Sequence, residues 1–202
     1  MDRQTMIDRL AELEWNAFQE IQGIEGRADC QDNRREFNIN RKSQFASWSD
    51  EILESYLGDL KTAQQERRNP VWEKYARMME FTSPLEYPNV ADGLPLLSDA
   101  VRELAEQIVE KQVVWQEELA GAYPRLFVRA RSIRSRDDSP LASSFETYLR
   151  CELLTYSKKT LNLYLAHLES RERTGVSMNR VCMEEMVRMY GYTSLEAADA
   201  AI

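Results

Sequence analysis

Apolar residues recur at three- and four-residue intervals through most of the chain, the period of an amphipathic helix. Met6, Leu10, Leu13, Ala17 and Ile21 form one such stripe and predict a first helix over 3–22, with Gly23 and Gly26 ending it. A polar segment then leads to a helix over about 33–48. Ser49-Asp50 reads as an N-cap for a helix to about Arg67, because a serine side chain can accept from the free amides of the first turn. Asn69-Pro70 opens a shorter helix that ends before Ser83-Pro84. Pro84, Pro88, Gly93 and Pro95 mark 84–97 as a connector. Ser98 caps a long helix to about Ala120, striped by Val101, Leu104, Ile108 and Trp115, and an irregular stretch runs from Tyr123 to Leu141. Ser143 or Ser144, Ser157 and Ser177 start three more helices, ending near Tyr156, Arg173 and Met189, and Ser194 caps a tail. No hairpin signal of the Asn-Gly type occurs, so the expected fold is all-α.

The pattern also repeats. Phe37–Leu60 runs in register with Phe145–Leu168 over 24 residues at an offset of 108: Ser49 falls on Ser157, Leu53 on Leu161, Tyr56 on Tyr164, and Trp48 faces Tyr156. After three extra residues the match resumes, with Arg77-Met78 on Arg188-Met189. The expectation is one domain, an internally duplicated bundle whose copies of about four helices, 3–88 and 98–200, are related by a pseudo-twofold axis. A seam between copies is a natural ligand site. The loops 23–33 and 121–142 differ between copies and are candidates for an asymmetric function.

Composition narrows the function classes. With 43% hydrophobic residues, the 202-residue chain can bury a sizeable core. A net charge of −8 disfavours nucleic acid or an anionic membrane, which call for a basic face. No apolar run approaches a membrane span and the charged start, MDRQTMIDRL, is unlike a signal peptide. Three widely spaced cysteines make no disulfide framework, so the natural reading is cytoplasmic.

Three groups carry candidate chemistry. Cys30, in Gly26-Arg27-Ala28-Asp29-Cys30-Gln31-Asp32, stands at the start of a helix, where the helix end and Arg27, Arg34 or Arg35 favour a thiolate and Asp29 and Asp32 oppose it. The only histidine, His167, is mid-helix and reads as exposed or satisfied rather than as its base. Cys151 and Cys182 read as small buried thiols. Arg125, Arg129, Arg131, Arg134 and Arg136 crowd 12 residues and suit a carboxylate or phosphate, or else pair with Asp137, Asp138 and nearby glutamates. If Arg27 is laid on Arg131, Cys30 falls on Arg134. Within the matched helices, Arg41, Gln44 and Trp48 share one face, against Arg150, Glu152 and Tyr156 in the second copy; they line a pocket or flank a core aromatic. Met78, Met79, Met183, Met186 and Met189 read as core or as a homodimer face. One histidine leaves no zinc spacing, Glu-x-x-His is absent, and no glycine-rich phosphate loop occurs, so no cofactor is indicated.

Glu14-Trp15, Gly26–Asp32, Arg41-Lys42-Ser43-Gln44-Phe45, Lys74–Glu80 and Ser144–Arg150 together give the chain its resemblance to the bacterial family catalogued as domain of unknown function 4125. The resemblance spans nearly the whole chain. It implies a stand-alone bacterial cytoplasmic protein, some of whose relatives are fused to nucleotidyltransferase-like domains, and it brings no reaction or catalytic residues. Cys151 departs from the family pattern, where glycine is expected.

The leading expectation is an enzyme acting on a small polar or anionic molecule in the seam. Arg27, Gln31, Arg41, Gln44, Trp48, Arg131, Arg134, Arg150 and Tyr156 would bind it, Cys30 would be nucleophile or acid/base, and Asp32 or Glu152 would orient a proton. A non-catalytic metabolite- or nucleotide-binding module uses the same arginines. A protein-interaction adaptor would present exposed aromatics instead.

Overall fold

The computed structural model describes residues 1–22, 26–140 and 142–202. Gly23, expected to end the first helix, and Leu141, at the end of the irregular stretch, lie outside the described residues. The fold is all-helical: α1 (Arg3–Gln19), α2 (Arg34–Ala46), α3 (Asp50–Gln65), α4 (Pro70–Thr82), α5 (Pro88–Ala91), α6 (Asp99–Ala122), α7 (Pro124–Phe127), α8 (Phe145–Leu153), α9 (Lys158–Thr174), α10 (Met178–Met189) and α11 (Leu195–Ala201). Two single 3₁₀ turns, Asp29–Asp32 and Ser135–Asp137, lie in the loops.

Local chemistry sets most of these boundaries. The side chains of Asn33, Ser49, Asn69, Ser98, Ser144, Ser157, Ser177 and Ser194 each accept from a backbone amide three residues on, which satisfies one orphan donor of each helix start. Gly175 ends α9 in the left-handed conformation, φ 68°, which glycine adopts without a Cβ penalty. The stretch from Tyr123 to Pro140 is more ordered than its sequence suggests. Asp199 of α11 accepts from the amides of Arg125 and Leu126 at 2.8 and 3.0 Å and so caps α7 from the far end of the chain. A tertiary cap of this kind leaves no local sequence signal. α1 also stops three residues short of the expected end.

α1 packs on α2, α3 and α4, and α6 packs on α8, α9 and α10; α2 lies on α10, α4 on α8, and α3 on α9. Where these helices meet, Leu10, Phe45, Ile52, Leu53, Ile108, Leu153, Leu161, Leu168 and Met178 form the core. Trp48 is at its centre, only 1% exposed, with the rings of Phe45, Tyr56, Tyr156 and Tyr164 edge-on to it at 5.0–6.0 Å. A smaller apolar cluster of Leu119, Tyr123, Val187, Leu195 and Ala198 fastens α11. No helix among the described residues is long and apolar enough to cross a membrane.

Candidate functional site: a charged cavity between the helices

Against this apolar core lies a line of four buried charges. Glu14 on α1, Arg41 on α2, Glu152 on α8 and Lys74 on α4 are each at most 6% exposed. The Arg41 guanidinium grips Glu14 through two nitrogens, Nη2 at 2.7 Å, and its Nη1 reaches both oxygens of Glu152 at 3.1 Å. Lys74 Nζ donates to Glu152 Oε2 at 3.3 Å and to the Tyr148 hydroxyl at 2.7 Å. Neutral donors complete the set: Gln44 and Tyr156 donate to Glu152 at 2.8 Å each, and Tyr56 donates to Glu14 at 2.5 Å.

The order along this line sets each carboxyl group beside a cationic side chain. Burial alone would raise the Glu152 carboxyl, but Arg41 and Lys74 outweigh it and hold the group well below its usual range. Burial alone would lower Lys74; Tyr148 and Glu152 reverse that and hold the ammonium charged. Tyr56 and Tyr156 are pushed up, mainly by burial and then by the carboxylate each faces, and so remain neutral donors.

The network is one wall of a cavity of about 680 Å³, within the range of small-molecule sites. α4, α8 and α1 contribute Lys74, Tyr75, Tyr148 and Phe18; α2, α6 and α10 contribute Phe37, Asn40, Gln112, Gln116, Asn179 and Met186. At the rim, the Arg131 guanidinium lies 4.8 Å from the centre of the Tyr148 ring, and Lys74 Nζ lies 4.3 Å from the same centre. Arg131 bonds Ser143 through Nη1 alone, and no described carboxylate pairs with it.

Of the residues singled out from the sequence, Cys30, Arg41, Gln44, Arg131, Glu152, Cys182, Met183 and Met186 line this cavity. Trp48 and Tyr156 lie behind it in the core, where Tyr156 supports Glu152. The others stand elsewhere. Arg27 binds Asp32, Gln19 and the Gln31 carbonyl, and the buried Gln31 amide ties the loop to the carbonyls of Phe18 and Ile21. Arg134 chelates Glu117, and Arg150 spans Glu106 and Glu146. Cys30 is exposed, whereas burial pushes the Cys151 and Cys182 thiols up to about 12. His167 bonds the Ser47 carbonyl from α9 and does not line the cavity. Met183 and Met186 face the cavity, and Met78 is buried. Among the described residues, no group of three or more His, Cys, Asp and Glu side chains is placed to hold a metal ion.

A family model described as protein of unknown function (DUF4125) matches residues 4–200. The chain belongs to this family. No curated protein and no solved structure matches it.

Sequence reasoning missed half of the charged line in this DUF4125 protein. Glu14 sits four residues after Leu10 and four before Phe18, on the buried stripe of α1, and Lys74 occupies the equivalent place between Val71 and Met78 on α4. A charged residue on a core-facing stripe was the available signal. Such a residue must be paired to be buried. Removing one partner of a buried network leaves the others uncompensated, so Arg41→Met is expected to cost about 3–5 kcal/mol, measured by urea denaturation. A loss under about 1 kcal/mol would mean that Glu14 and Glu152 do not depend on it.

Proposed function

We propose that this DUF4125 protein binds a small molecule carrying an anionic group, seated in the cavity where two helical repeats meet. The observation that carries this reading is the pair of cations on Tyr148. Lys74 and Arg131 approach one ring from inside the cavity and from its rim, and the Arg131 fork has no carboxylate to occupy it. A planar guanidinium with an open edge suits a carboxylate or phosphate, and the Lys74 ammonium, which also donates to Glu152, lies against the same ring. Arg41 is committed to Glu14 and Glu152, so it acts as a positioning residue for Lys74 and Gln44 rather than as the anion receptor.

The repeat reading has independent support in the packing. Exchanging 3–88 for 98–200 turns the α2–α10 contact into the α8–α4 contact and maps α3–α9 onto itself. Tyr56 bonds Glu14 on α1 as Tyr164 bonds Gln112 on α6. Gln44 and Glu152, 108 residues apart, bond each other. These relations support a cavity lying on the proposed pseudo-twofold axis. The three free thiols fit a reducing compartment, and we take the protein to be bacterial and cytoplasmic.

One observation favours a catalytic version: Cys30 is exposed and lines the same cavity. Its thiol would be the nucleophile. Glu152 is a weak choice for proton transfer, since Arg41, Lys74, Gln44 and Tyr156 already occupy its oxygens. Asp32 is paired with Arg27. Binding is therefore the better supported role.

Two measurements separate these versions. Benzoate and inorganic phosphate should raise the melting temperature of the wild type, and the effect should vanish in Arg131→Ala and Lys74→Met; no shift with either probe in the wild type contradicts anion binding. In the catalytic version Cys30 alkylates with iodoacetamide well below pH 8 while Cys151 and Cys182 stay silent. Slow, equal labelling of all three removes the thiol mechanism.

A further inference from the structure

A second pocket lies apart from the charged cavity and shares no lining residue with it. One wall is a face of α6, on which Trp115, Glu118, Leu119 and Ala122 recur at three- and four-residue spacing. The other is the turn 175–177 between α9 and α10, flanked by Glu172 and Arg180. The volume is about 380 Å³, enough for one small molecule.

Trp115 carries the chemistry of this pocket. Its ring belongs to the main core and is only 9% exposed. Its Nε1 has no hydrogen-bond partner among the described residues and, unlike Trp48 Nε1, is not sealed from solvent. An indole N–H can only donate, and when buried it ordinarily finds an acceptor. The ring opens on the pocket, so this donor meets whatever fills the pocket.

The other polar groups carry both signs. Glu172 is held from outside the pocket by Lys111, at 2.8 and 3.0 Å, and Glu118 pairs with no described cation. Arg180 gives Nε to Glu184 at 2.9 Å and Nη2 to the Tyr123 hydroxyl at 3.3 Å, which leaves Nη1. A simple anion would face two carboxylates here. A simple cation would face Arg180 and the indole N–H. Hydroxyl groups escape the conflict, because each both donates and accepts, and a carboxylate is a strong acceptor for them. Val176, 38% exposed, adds an apolar contact for a carbon ring.

We infer that this pocket binds a neutral sugar or cyclic polyol, whose hydroxyls donate to Glu118 and Glu172 and accept from Trp115 Nε1 and Arg180. The inference is independent of the anion site in the larger cavity.

The four tryptophans give four indole peaks in the nitrogen–proton correlation spectrum of the intact protein, and Trp115→Phe identifies the one from Trp115. Through-bond assignment of the wild type identifies the same peak if that variant does not fold. Glucose and myo-inositol should shift the Trp115 peak saturably, and Glu118→Ala, at an exposed position, should weaken that response about tenfold. Benzoate, which probes the larger cavity, should leave the peak in place. No saturable shift with either polyol, an equal shift with cyclohexanol, which offers a ring and a single hydroxyl, or a response unchanged in Glu118→Ala would overturn the polyol site. So would a shift with inorganic phosphate and none with the polyols, which would make the pocket an anion site.

Discussion

The buried charges at the meeting of α1, α2, α4 and α8 depend on how Arg41 is neutralised. A guanidinium at the centre of a helical bundle is tolerable only if its charge and its fork of donors are met from within. Glu14 and Glu152 meet them from two other helices, and Lys74 then balances the second carboxylate. Each charge comes from a different helix, so the network fixes the mutual placement of α1, α2, α4 and α8. A hydrophobic contact tolerates small slips between helices. A bidentate ion pair held at hydrogen-bond distance does not.

The network also borders the cavity: Glu14, Arg41, Lys74 and Glu152 line it on one side. Lys74 and Tyr148 lie along one edge of it, and the aromatic core around Trp48 lies behind. Function would then use what the fold must already provide: a fixed ammonium, oriented hydroxyls and a low-dielectric wall. The rim arginine is an addition from the loop before α8, outside the network.

The scaffold was largely legible in the sequence because its signals are local. Stripes of apolar residues and the caps Ser49, Ser98, Ser157 and Ser177 need only a few neighbours to be read. The short helices α5 and α7 were not legible, since α7 is capped by Asp199 from the other end of the chain. At the site, comparing Gln44 with Glu152 directed attention to two residues that do touch, at 2.8 Å. Glu14 and Lys74 escaped notice because a charged residue in a helix is ordinarily solvated; only their coincidence with the buried stripe distinguishes them. The arginines of the 125–136 segment could not be sorted from sequence at all. Arg134 finds Glu117 on α6 and Arg131 finds none, and nothing within the loop decides which.

Glu152 is a carboxylate buried in the ionised state by the cations that flank it. Carbon-detected NMR of the side-chain carboxyl across an acid titration measures this directly. A folded-state pKa held below the unfolded value gives stabilisation that is full above about pH 4.5 and is lost as pH falls towards the depressed value. Glu152 is therefore expected to titrate at about 2, or to stay ionised until the protein unfolds in acid. Titration at or above about 4.5 in the folded protein would mean that Glu152 carries a proton where the network requires a charge, and would contradict the account.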